Sequence, residues 1–147
     1  MKKLTTILAA LVLLLSTSAF TVTDVNVSAR IIQEFQNDFG TVTDVKWKII
    51  DEVYVVTFKE NGKEAAASYD QEGELLASAK YIKSTELPIR IWNAVNNKYT
   101  DWAVEQPVIE VNRGETSYLM NLENDKFKIT LEANSTGLLT VVSKTKK

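Results

Sequence analysis

The chain has 147 residues, with 17 Lys and Arg against 19 Asp and Glu, a formal charge of −2, no Cys and no His. Without cysteine there is no disulfide or thiol chemistry, and without histidine the commonest general base near neutral pH and the commonest metal ligand are gone. The mild acidity argues against nucleic acid or anionic lipid as a partner.

Lys2 and Lys3 precede an almost wholly apolar run from Leu4 to Leu15, and Thr17-Ser18-Ala19 places small residues before Phe20. This pattern predicts a secretory signal peptide over residues 1–19, because the apolar run is too short for a bilayer. The expected mature protein, residues 20–147, is periplasmic or secreted and has no stable membrane insertion. Its size suits one domain with a real core. A lipid anchor would need a cysteine at the cut.

A first amphipathic helix is expected from about Asn26 to Phe39. Ile31, Phe35 and Phe39 recur at intervals of four, with Ile32 widening the stripe. Asn26 or Ser28 is placed to cap it, and Gly40 to end it in a left-handed conformation. Four strands should follow. Val45, Trp47 and Ile49 alternate with Lys46 and Lys48, as in a half-buried strand. Tyr54, Val56 and Phe58 share one side of the next. Asn61-Gly62 favours a hairpin, Ala65, Ala67 and Tyr69 share a face beyond it, and Asp70–Gly73 makes a second tight turn before a strand from Leu75 to Tyr81.

The pattern then recurs. Leu87, Ile91, Val95 and Tyr99 form a second helical stripe, with Pro88 tolerated in the first turn. It follows the first stripe at an offset of about sixty residues, whereas Tyr118, Met120, Leu122, Gly137 and Leu139 match Tyr54, Val56, Phe58, Gly73 and Leu75 at a slightly larger one. A longer connection in the second copy is expected near Asn112–Glu115. The predicted class is α+β: tandem helix plus four-stranded antiparallel meander units, about 26–82 and 86–143, forming one curved sheet with both helices on one face.

Ile31, Phe35, Phe39-Gly40 and Val45-Lys46-Trp47, followed by Tyr54, Val56, Phe58, Asn61-Gly62-Lys63-Glu64, Tyr69-Asp70, Gly73, Leu75-Leu76 and Leu87-Pro88, resemble the PepSY-like, beta-lactamase-inhibitor-like family of small exported proteins. The likeness covers nearly all of residues 20–147 and is carried mostly by the first copy. The second departs where Thr100-Asp101-Trp102 and Pro107 replace the first copy's Gly40 and Trp47. The resemblance implies a single domain of two repeats, folded like the beta-lactamase inhibitor protein. Its motifs are turn and core positions, and the inhibitor name describes a shape.

Catalytic chemistry finds little footing. Asp51-Glu52, Asp70/Glu72 and Glu123/Asp125 sit at expected turns. Asp70-x-Glu72-Gly73 lacks the further oxygen ligands and distal Glu of a calcium loop. The glycines are isolated, so no phosphate loop exists, and no triad can be assembled without His or Cys. Asn134-Ser135-Thr136 matches a glycosylation sequon but reads as turn composition beside Gly137. The chain is therefore expected to be no enzyme, with no catalytic residues, no cofactor and no metal.

The expected role is recognition of another envelope or secreted protein. Two helices cover one side of a sheet, which leaves the other side available. Lys46 and Lys48, with Val55 and Thr57 on the next strand, have the parity of that open side. Trp102, just past the second helix, joins them as a candidate contact, since a partly exposed aromatic can anchor a partner. Two other readings stand beside this one: a small-ligand or cation-binding periplasmic protein using the acidic turns, and a structural or stress-related envelope protein without a dedicated site.

Overall fold

The computed structural model describes residues 25–147, so the expected signal peptide lies outside the described residues. The chain divides into two compact units, the first ending at Lys80 and the second running from Tyr81 to Lys147.

The first unit is one helix on an antiparallel meander. Helix α1 (Ala29–Phe39) begins at Ser28, whose hydroxyl accepts the Ile31 amide at 3.3 Å. That contact satisfies one of the amides a helix start leaves open, so Ser28, and not Asn26, is the cap. The helix ends at Gly40, whose amide donates to the Gln36 carbonyl at 2.9 Å. Gly40 has φ 63° and ψ −136°. The expected positive φ is present, but ψ sends the chain out extended instead of along a left-handed turn, a combination open to glycine because it lacks a Cβ.

Strands β1 (Thr43–Ile50), β2 (Val53–Glu60), β3 (Lys63–Tyr69) and β4 (Leu75–Ile82) pair in sequence order, all antiparallel. The unit boundary falls within β4. Ile31, Phe35, Val56, Phe58, Ala65, Ala67 and Tyr69 form the apolar cluster beneath α1, with Phe39, Trp47 and Tyr54 packed against it. The Phe35 ring lies 5.1 Å from Phe58, 5.4 Å from Trp47, 5.5 Å from Phe39 and 6.5 Å from Tyr69, between centroids. Alanines at 65 and 67 make room for these rings under the helix. Ile32, expected in the stripe, is 38% exposed: it projects about 100° around the helix from Ile31, beyond the buried face. Val45 and Ile49 are also exposed, and among the described residues β1 pairs on one side only, with β2.

In the second unit a single 3-10 turn (Ser84–Glu86) leads to helix α2 (Ile89–Lys98). Pro88 caps that helix from outside, and Leu87 is buried before the helix begins, so both lie one step earlier than the sequence pattern suggests. Strands β6 (Val108–Asn112), β7 (Thr116–Glu123), β8 (Phe127–Asn134) and β9 (Leu139–Lys146) form an antiparallel meander, and the two-residue strand β5 (Ala103–Val104) also pairs with β7. Ile91 and Val95 of α2 pack on Val108, Tyr118, Met120, Leu122, Ile129, Leu131 and Ala133. The first hairpin turns over residues 51–52 in the first unit and 113–115 in the second, one residue longer as expected, but the larger difference lies between helix and first long strand, residues 40–42 against 99–107.

One turn is built alike in both units. Gly73 donates its amide to the Asp70 carbonyl at 3.2 Å, and Gly137 donates to the Asn134 carbonyl at 3.0 Å. Glu74 donates its amide to Asp70 Oδ1 at 2.8 Å, and Leu138 donates to Asn134 Oδ1 at 2.9 Å. Each glycine has a positive φ, 82° and 91°. Each also lies against its unit's helix: a Cβ at 73 would meet Glu34 Cγ at 3.4 Å, and one at 137 would meet Arg90 Cγ at 3.3 Å. Asn134 thus serves the turn, taking the Thr136 amide and hydroxyl as well.

Candidate functional site

Strand pairing decides which side chains share the sheet face turned away from α1. Lys48, Val55, Ser68 and Ala77 form one row across β1 to β4, and Lys46, Thr57, Ala66 and Ala79 form the next. The four candidates Lys46, Lys48, Val55 and Thr57 are therefore brought together. Their accessibility differs from the expectation. Lys46 and Lys48 are exposed and Thr57 is half-buried, but Val55 is 3% exposed and is not an open contact residue. Ala66, Ser68, Ala77 and Ala79 on the same face are buried too. Alternation assigns a residue to a side of the sheet and does not say how accessible that side is. Of the four candidates on this face, only Lys46 and Lys48 are exposed.

Trp102 belongs to the second unit and is half-buried. It meets Tyr99 edge-on at 5.7 Å and packs against the apolar cluster under α2. Its aromatic surface is largely used in closing that core.

On the corresponding face of the second unit, beside the apolar Ile109, Val111 and Leu119, polar side chains bond to one another. Thr130 donates to Asn121 Oδ1 at 2.9 Å, and Ser143 donates to the Thr130 hydroxyl at 3.0 Å, a chain across three strands. Glu132 Oε1 accepts from Ser117 and from Arg113, each at 2.9 Å. Lys128 bridges Glu105 at 3.0 Å and Glu123 at 3.3 Å, and Lys147 reaches Glu123 at 2.9 Å. Hydrogen bonding to Glu105, then to Glu123, raises the Lys128 pKa above the ordinary lysine value. Hydrogen bonding from Lys147, then from Lys128, holds Glu123 below the usual carboxylate range. Of these residues the sequence pattern singled out Glu123, as a turn carboxylate, whereas it ends strand β7. Their signal was the parity of β7 and β8, where Ser117, Asn121, Glu123, Lys128, Thr130 and Glu132 share one side, interrupted by Leu119.

Two further electrostatic features lie in the first unit. Asp44 and Lys59 form a 2.8 Å bridge that lowers the pKa of the acid and raises that of the base. Tyr69, 0% exposed, donates its hydroxyl to Asp38 Oδ2 at 2.8 Å. Burial, followed by that bond, pushes its phenol well above the ordinary tyrosine value. Among the described residues no group of three or more Asp or Glu could hold a metal ion. The carboxylate of the Asp70 turn is occupied by the Glu74 amide.

No protein-family model matches the chain, and no curated protein matches it at a significant level. Solved structures do. A BLIP-like protein from Bacteroides fragilis NCTC 9343 is 20% identical with a TM-score of 0.67, the match covering 83% of this chain and 87% of that one. A DUF2874 family protein from Bacteroides uniformis ATCC 8492 is 18% identical with a TM-score of 0.66, over 82% and 90% of the two chains. A candidate periplasmic protein from Bacteroides eggerthii DSM 20697 is 16% identical with a TM-score of 0.67, over 83% and 90%. At these identities the likeness is one of fold: α+β, with tandem helices on antiparallel sheet, the architecture of the BLIP-like protein.

Proposed function

We propose that this chain is an exported binding module that recognises another envelope or secreted protein through its sheet, with no catalytic step. The carrying observation is the face of the second unit turned away from α2. Its polar side chains are held in place by bonds among themselves, from Asn121 through Thr130 to Ser143 and from Arg113 through Glu132 to Ser117. Such a surface is ordered before a partner arrives, which lowers the entropy lost on binding. In the first unit the exposed Lys46 and Lys48 are a separate candidate surface.

Export agrees with the Lys2-Lys3 and Leu4–Leu15 pattern of residues 1–19, and a periplasmic address agrees with the description of the Bacteroides eggerthii neighbour. We read residues 20–147 as one domain of two copies of a PepSY-like unit. The matched turns at Asp70 and Asn134 support that reading. A cation carrier is disfavoured because the Asp70 carboxylate already serves its own turn. The absence of catalysis is supported by the acids themselves: the carboxylates with resolved shifts, Asp44 and Glu123, are held low by lysines and are poor proton donors at neutral pH.

Affinity capture from native envelope extract tests the proposal, with wild type compared against a variant carrying Lys46→Glu and Lys48→Glu. A protein recovered by wild type and lost by the variant is expected. Equal recovery by both would remove the lysine edge from the site, and recovery of nothing by wild type would overturn the binding role.

A further inference from the structure

The outer edge of the second unit carries a feature that the sheet-face reading does not use. Strand β9 (Leu139–Lys146) pairs with β8 and, among the described residues, with no strand on its other side. From Thr140 onward every residue of it is exposed. Val141 and Val142 are 48% and 57% exposed, and Leu138 just before them is 65% exposed. The ladder bulges at Val142, and beyond it Ser143–Lys146 pairs residue for residue with Phe127–Thr130. That stretch bears Lys144 and Lys146 and no acid, within a chain whose formal charge is −2. Lys144 lies over the Phe127 ring at 4.2 Å.

Strand β1, which among the described residues pairs only with β2, also shifts register, but there an ion pair fixes the bulge. Its register shifts between Thr43 and Lys46, Asp44 takes φ 55° there, and the Asp44 carboxylate is tied to Lys59. A bulge of this kind turns an edge away from further pairing.

We propose that the β9 edge receives a short, extended, acidic segment of a partner protein, added antiparallel along Ser143–Lys146, with apolar side chains meeting Val141 and Val142. The inference rests on the binding-module reading and names a surface and a partner chemistry for it. Main-chain hydrogen bonds supply the attachment in strand addition, and side chains supply the selectivity. Lysines on an edge discourage pairing with neutral or basic strands. The same lysines favour a strand that places carboxylates opposite them. A second copy is a poor occupant, since it would crowd four lysines into one short ladder. A few paired residues also bury far less than the roughly 1,200–2,000 Å² of a stable assembly. The contact is accordingly weak and reversible.

The probe is a short synthetic strand alternating Glu with Val, capped at both ends, with a Lys-for-Glu counterpart as control. Both are titrated into isotopically labelled full-length mature chain at low salt, with backbone amide shifts and hydrogen exchange as readouts. Shifts and slowed exchange centred on Ser143–Lys146 are expected. Binding should be about tenfold tighter for the acidic strand than for the basic one, and should weaken as salt rises. Lys144→Glu combined with Lys146→Glu should invert the preference while leaving the rest of the spectrum unchanged. Equal binding of both strands, or shifts confined to the sheet faces, would overturn the inference. So would concentration-dependent self-association through β9. No response at millimolar peptide would also overturn it, while the binding-module reading would still be decided separately by the Lys46/Lys48 capture experiment.

Discussion

Tyr69→Phe separates two effects that one hydroxyl combines. The ring is 0% exposed among Phe35, Trp47 and the α1 cluster, and phenylalanine keeps almost all of that packing. What is lost is the 2.8 Å bond to Asp38. Asp38 is exposed, so water takes the phenol's place, and the cost at pH 7 should be about 1–2 kcal/mol. Alkaline pH changes the comparison. The folded phenol titrates above its unfolded value because ionising it would bury a charge beside a carboxylate. Its stabilising contribution is therefore complete below about pH 10 and is lost as pH rises beyond that, at about 1.4 kcal/mol per pH unit. Phenylalanine has no such loss. The wild-type advantage should shrink by about 1.4 kcal/mol between pH 9 and pH 11. Urea unfolding of both proteins across that range, followed by circular dichroism, measures the difference directly. Lys59 and Lys128, whose pKa values are raised by hydrogen bonds to carboxylates, are present in each protein and cancel. A gap that stays constant from pH 7 to pH 11 would refute the assignment of Tyr69 as a buried, Asp38-bound phenol.

Phe35→Ala removes the ring at the centre of the first cluster and should cost about 3–5 kcal/mol in the same urea assay; a loss under about 1 kcal/mol would contradict its packing against Phe58 and Trp47. Gly137→Ala forces a Cβ onto a φ of 91° and to within 3.3 Å of Arg90 Cγ. A destabilisation above about 1 kcal/mol is expected from thermal melting, and an unchanged melting temperature would show that the turn does not need glycine there.

Much of this fold is legible in the chain because the periodicities are local. Ile31, Phe35, Ile91 and Val95 are buried as their helical spacing requires. Val56, Phe58, Met120 and Leu122 are buried as strand alternation requires. Ser28 and Gly40 mark helix ends through their own chemistry. The turns at Asp70 and Asn134 are likewise set by residues a few positions apart. Boundaries were less legible, as at Pro88, because a helix start depends on which amides find partners.

Accessibility required the tertiary structure. Val55 and Lys48 have the same parity and are directly paired, yet one is buried and the other exposed. Strand parity does not distinguish them, because exposure depends on every atom above a residue, including atoms remote in sequence. The bond from Tyr69 to Asp38, the Lys128 cluster and the open edge of β9 are of the same kind. Local periodicity is enforced by backbone geometry and so is written into neighbouring residues. Partners across strands, and the edges left without one, exist only once the chain has closed on itself.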